Sequence, residues 1–212
     1  MSEKNTAQVN NNARRVLFQS MDRILTNLKD NMEHLRKPKY FKYTQRFIDL
    51  VYDGLKNKRR FFLLASGRSA FILQCFATRL VHLGAEMYMI TNLASIPALR
   101  RKDILIVLSG SGTTNIVVSL LETYVNTVKP YGIVAITSHP DTIIGRIGDI
   151  TIKLKGRTKR DKGKEGEEAI LTPEGTMFEA VAFTYLDAII AELAIRMGKA
   201  NDDLLKAHSE TI

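Results

Sequence analysis

The run Asp103-Ile-Leu-Ile-Val-Leu108 carries no polar residue after its first, so a strand built from it must be covered on both faces. A sheet with one wet face alternates apolar and polar residues instead. Parallel sheets need cover on both faces, because the helices that join parallel strands lie on those faces. The neighbouring sequence supplies the other parts. Phe61 to Ala65, Glu86 to Ile90, Gly132 to Thr137 and Ile150 to Leu154 read as four further short strands. Helical patterns stand between them: Ala70 to Leu83, closed by Gly84; a stretch reaching about Val128; and one or two turns over Asp141 to Ile147. Strands that alternate with helices predict an α/β domain, a three-layer αβα stack around a five-stranded parallel sheet with right-handed crossovers.

Two helices precede the first strand. Leu17, Met21, Ile24, Leu25, Leu28, Met32 and Leu35 recur at steps of three and four, one apolar stripe on a helix that Pro38 stops. Tyr43, Phe47, Ile48, Val51 and Leu55 repeat the pattern. These helices either pack on the domain or pair with another subunit. Residues 1–12 are polar and are expected to fray. Residues 155–168 hold mixed charge, three glycines and no apolar residue, the composition of a mobile loop. Met177, Val181, Tyr185, Ala188, Ile189 and Leu193 then predict a long helix ending near Gly198. The chain thus divides into a tail and helix (1–38), the sheet domain (39–200) and a C-terminal tail (201–212).

At 212 residues and 45% hydrophobic content, the chain buries a core without disulfides or metals. Its single cysteine, Cys75, rules out an internal disulfide and favours a cytoplasmic protein. The polar stretch Met1 to Asn12 has no signal-peptide core, and no apolar run reaches the about 18 residues of a membrane helix. The net charge of +9 is spread over clusters at Lys56 to Arg60, Arg100 to Lys102 and Lys153 to Lys164, none interleaved with aromatics. That argues against a stacking surface for nucleic acid, leaves binding through the Lys153 to Lys164 stretch as a lesser reading, and favours anionic small molecules or solubility alone, with no nucleic-acid or membrane partner expected.

The strongest chemical signal is Ser109-Gly110-Ser111-Gly112-Thr113-Thr114, directly after a buried strand and before a helix. A helix N-terminus offers unpaired N–H groups and a partial positive charge. Small residues let an anion approach the backbone, and hydroxyls add donors. One Ser or Thr would serve as a helix cap; four hydroxyls and two glycines in six residues exceed that need. Neither a Walker loop nor a Gly-x-Gly-x-x-Gly fingerprint is present. A second small-residue turn, Ala65-Ser66-Gly67-Arg68-Ser69, follows another strand. Ser66, Gly67 and Ser69 there join Ser109, Ser111, Thr113 and Thr114 as phosphate-binding candidates, with Arg68 available to an anion or a sugar oxygen.

With these residues the chain resembles the sugar isomerase (SIS) domain family over roughly residues 45–200. Ser109, Ser111 and Thr114 match that family's Ser-x-Ser-x-x-Thr phosphate loop. Gly67-Arg68-Ser69, the stretch Cys75-Phe-Ala-x-Arg-Leu-x-His-Leu-Gly84, the run Asp103 to Gly112 and Pro173-x-Gly-Thr-x-Phe-Glu179 are similar to archaeal 6-phospho-3-hexuloisomerases. So is the tail, with His208 near its end. The resemblance implies a flavodoxin-like SIS fold and a homotetramer with the tail near a neighbouring subunit's site. It also implies isomerisation of a 3-hexulose 6-phosphate to fructose 6-phosphate through an enediol, with no metal and no cofactor. Departures are Ala65 and Ala70 where the family has glycine, Thr91-Asn92-Leu93-Ala94 where it has Gly-Glu-Thr, and the longer charged loop at 155–168.

Moving a carbonyl between adjacent carbons needs a base for a carbon-bound proton and an acid for the oxygens. The resemblance assigns the base to Glu179, the partner to His208 and enediolate stabilisation to Arg68. A non-catalytic sugar-phosphate-binding protein of the same family is the alternative. His82, on an apolar helix face, and Cys75 read as core residues. His34 and His139 carry no signal, and no cluster has metal-ligand spacing.

Overall fold

A computed structural model of the chain describes residues 3–90, 96–158, 160–161, 170–199 and 206, with residues 3–14 as backbone only. The elements are α1 (Glu3–Arg36), α2 (Pro38–Lys56), β1 (Arg60–Leu64), α3 (Arg68–His82), β2 (Glu86–Met89), β3 (Ile104–Leu108), α4 (Asn115–Thr127), β4 (Gly132–Thr137), α5 (Ile143–Ile147), β5 (Ile150–Lys153) and α6 (Thr176–Arg196). Helix α1 reaches back to Glu3, into the segment expected to fray. That stretch contains no proline or glycine to break it. Pro38 ends α1 and opens α2 at its first turn, where a missing N–H costs nothing.

The five strands form one parallel sheet in the order β2-β1-β3-β4-β5. Strand β3 is buried at every residue and pairs with β1 and β4, as its unbroken apolar run requires. Alternate residues feed two cores. Phe61, Leu63, Ile104, Ile106, Val134 and Ile136 point to one face, where α2, α3 and α6 pack. Phe62, Leu64, Leu105, Val107, Ile133 and Ala135 point to the other, under α4 and α5. The chain runs from β1 outward to β2, then returns past β1 to β3. Crossovers of one hand in opposite directions put their helices on opposite faces, and a crevice opens between the carboxyl ends of β1 and β3.

The amino ends of β1 and β3 are tied by charge. Asp103 is fully buried before β3 and accepts from Arg60 Nε (3.0 Å) and Nη2 (2.5 Å) and from the Arg100 N–H (2.6 Å). Its pairing with Arg60 raises the arginine's own affinity for its proton. Among the described residues no helix is long and apolar enough to cross a membrane.

Candidate functional site

The six-residue loop leaves β3 at the switch point of the sheet. The Ser109 N–H donates to Ile136 O (3.0 Å), carrying the β3–β4 ladder one residue past β3, and the Gly112 N–H donates to Ser109 O (3.1 Å), closing a turn. Gly112 holds a φ of +65°, and a Cβ there would collide with the Thr142 hydroxyl, so two constraints select glycine. Strand β4 fastens the loop from its far side: the Ser138 N–H (3.1 Å) and Thr137 Oγ1 (3.2 Å) both donate to Gly110 O.

The loop hydroxyls converge. Ser109 and Ser111 are 4% and 5% exposed, and their Oγ atoms stand 3.3 and 3.5 Å from Thr114 Oγ1. Thr113 is exposed, and its N–H donates to Ser111 Oγ at 3.4 Å. Thr114 occupies the N-cap of α4, yet its side chain makes no capping hydrogen bond, and no acidic residue sits in the first turn. A cap is therefore not what these hydroxyls provide. The positive end of α4 stays open to an anion.

Across the crevice, the turn after β1 exposes Ser66, Gly67 and Arg68 and half-buries Ser69. Arg68 Nε lies 2.7 Å from Glu179 Oε2 in the first turn of α6. This pairs the two candidates that the sequence placed far apart. The contact is a charge pair rather than an aligned hydrogen bond: buried Oε2 makes no hydrogen bond among the described residues. Gly175, with a φ of +87°, caps α6, and a Cβ there would stand 3.2 Å from Glu179 Oε1. Glycine at this position gives the carboxylate its room. Burial raises the Glu179 carboxyl above the usual glutamate value, and Arg68 opposes that shift. Burial prevails because the arginine side chain is 66% exposed, and a hydrated charge is a screened one.

The residue before Glu179 carries α6 onto the loop. A Cβ on Gly110 would stand 2.8 Å from the Phe178 ring and 3.2 Å from Thr158 Cγ2. Thr158 belongs to the segment expected to be mobile, but residues 155–158 are stitched down. Ser138 Oγ donates to Leu154 O (2.8 Å) and stands 3.1 Å from Gly156 O, and Arg157 donates to Thr172 O (2.5 Å). The Thr158 N–H and hydroxyl reach Asp161 Oδ2 at 2.8 and 3.1 Å, and His139 Nε2 lies 2.9 Å from Thr158 Oγ1 and 3.5 Å from Asp161. Burial works to raise the Asp161 carboxyl, and the bonds from Thr158 with the nearby His139 outweigh it and lower it. His139 thus sits in a polar cluster against the loop, which its sequence surroundings did not signal.

Other expectations divide. His82 is buried, as its helix face predicted. Cys75 is exposed rather than core, because Leu73, Phe76, Ala77 and Leu80 define the inner face of α3 and Cys75 falls outside it. His208, the Thr91 to Ala94 segment and residues 162–169 lie outside the described residues.

A family model described as the SIS domain matches residues 54–162, which hold both turns of the crevice. The chain belongs to the SIS domain family. Among SIS relatives, a 3-hexulose-6-phosphate isomerase from Methanocaldococcus jannaschii is 31% identical over 76% of this chain and 82% of its own. A crystal structure of a hypothetical protein from Methanococcus jannaschii, for which the function of 3-hexulose-6-phosphate isomerase is inferred, superposes with a TM-score of 0.72 at 26% identity, covering 90% of this chain and 97% of that one. The Vibrio vulnificus NanR protein complexed with ManNAc-6P shares the fold alone, at 16% identity and a TM-score of 0.67 over 100% of this chain and 75% of that one.

Proposed function

We propose that this SIS protein isomerises a ketohexose 6-phosphate, interconverting a 3-hexulose 6-phosphate and fructose 6-phosphate. The observation that carries the reading is Glu179: a carboxylate in a partly dry setting, its proton affinity raised, one residue from the Phe178 ring that backs the hydroxyl loop. The phosphate sits on Ser109, Ser111, Thr113, Thr114 and the first N–H groups of α4, with Ser66, Gly67 and Ser69 across the crevice. Glu179 takes the proton from carbon 2 and returns it to carbon 3, while the proton on the carbon-2 oxygen ends on the carbon-3 oxygen. No net oxidation occurs. Arg68 faces the negative charge that develops on the enediolate. The likeness to the Methanocaldococcus jannaschii enzyme supports this choice of substrate. By the same likeness His208 of the tail serves the oxygens, and the protein assembles as a homotetramer.

The test is incubation with 3-hexulose 6-phosphate while fructose 6-phosphate is measured. Turnover is expected; none at high protein concentration sinks the reading. A chain that binds the sugar phosphate without converting it is instead the non-catalytic member of the family.

A further inference from the structure

Asparagine is a poor residue for a helix interior, because its amide competes for backbone groups. Helix α1 nevertheless places Asn27 and Asn31 one turn apart on the side that meets the domain. Asn31 is 2% exposed. Its amide is fully used: Nδ2 donates to Asn27 O (2.8 Å) and Lys155 O (2.8 Å), and Oδ1 accepts from the Lys155 N–H (2.6 Å). The last two bonds grip both polar groups of one backbone residue just past β5, as a neighbouring strand would. Asn27 Nδ2 donates to Met177 O (3.0 Å) in the first turn of α6.

Both grips lie within a few residues of the hydroxyl loop. From Lys155 the chain passes to Gly156, whose missing Cβ lets it lie directly on the Phe178 backbone, and on to Thr158 beside Gly110. From Met177 it passes to Phe178, also on Gly110, and to Glu179. We propose that Asn27 and Asn31 are positioning residues of the isomerase site, holding residues 155–158 and the start of α6 against the back of the hydroxyl loop. They thereby set the distance from Glu179 to a phosphate held there. The proposal rests on the reading of the site given above. It also makes α1, which lies outside residues 54–162, part of the catalytic scaffold.

The test uses Asn27→Ala and Asn31→Ala in the full-length protein, with three measurements. Turnover of 3-hexulose 6-phosphate is expected to fall about tenfold in each variant, the effect of one hydrogen bond, with KM held within about twofold because the hydroxyl loop itself is untouched. Amide exchange is expected to speed up about tenfold or more over 155–158 in Asn31→Ala and over 176–180 in Asn27→Ala, while β1, β3 and β4 keep their protection. The Glu179 carboxyl, followed by NMR, is expected to titrate closer to an ordinary glutamate in Asn27→Ala. Unchanged turnover, or a rise in KM with kcat intact, overturns the proposal, as does exchange that rises uniformly across the sheet. If the wild type converts no hexulose phosphate, the choice of reaction has failed. The Glu179 titration and the exchange pattern then decide the positioning claim by themselves. If Asn31→Ala does not fold, the half-buried Asn27 gives the same readings on α6 alone.

Discussion

Glu179 illustrates how a single partly buried carboxyl ties stability to pH. Its proton affinity is raised in the folded protein, so the folded state binds that proton more tightly than the unfolded chain does. The stabilisation is complete below the unfolded value and is lost as pH rises through the folded one. Glu179→Gln removes this loss. The variant is expected to melt higher than wild type at neutral pH, with the difference closing in acid, while turnover falls by about two to four orders of magnitude. Calorimetry across pH and the fructose 6-phosphate assay check the two halves. Equal melting at pH 7 would show that the carboxylate pays nothing for its place. His34 works in the opposite sense. It is buried against Tyr40, and its proton affinity is lowered by burial, with Lys155 and other lysines adding to the effect. Its contribution is present above its ordinary pKa and lost as pH falls through the lowered one, so His34→Phe should flatten the acid side of the stability curve.

The hydroxyl loop and the strand it leaves act as units. Ser111→Ala with Thr114→Ala removes two hydroxyls that point inward, and neither caps α4. Each hydrogen bond to a charged phosphate is worth about 1.5–3 kcal/mol. Together their loss is expected to weaken sugar-phosphate binding about a hundredfold or more. Titration calorimetry measures that affinity, and far-UV circular dichroism should stay unchanged. At the other end of the same strand, Asp103 joins β1 to β3 through Arg60 with no solvent exposure. Asp103→Ala strands a guanidinium that is itself largely buried, and is expected to cost about 3–5 kcal/mol in urea unfolding. A loss below about 1 kcal/mol, the range of a surface pair, would contradict that account.

At the scale of the molecule, α1 is only partly covered by the domain. Its inner face holds Asn27 and Asn31 on the site segments, with Leu28 and Leu35 packed on the core. On the same apolar stripe Leu17, Met21, Leu25 and Met32 stay about half exposed or more, with Leu25 and Met32 at the rim of a groove shared with Val181, Tyr185 and Ala188 of α6. An exposed apolar row of this kind is expected to be covered by a partner. We expect light scattering to report an assembly larger than a monomer, reduced in size by Leu17→Glu with Leu25→Glu. A wild-type mass equal to one chain would end that expectation.

Much of the architecture was legible from the chain alone. Unbroken apolar runs require a sheet covered on both faces, helical spacing places the crossovers, and the Ser-Gly-Ser-Gly-Thr-Thr turn was placed between strand and helix, where the structure has it. These are local signals, written in periodicity and residue type within a dozen positions. The tertiary structure alone decided the rest. It sent the apolar stripe of α1 half into solvent, turned Cys75 outward, drew His139 to Thr158 and Asp161, and set Arg68 on Glu179. It also closed Asn31 on a backbone 124 residues away. Contacts at that separation depend on which faces meet after the strands are ordered, and no local pattern encodes that. The hydroxyl loop was therefore readable before the fold was known, while the carboxylate's seat beside it became visible only after α1, β5 and α6 were packed together.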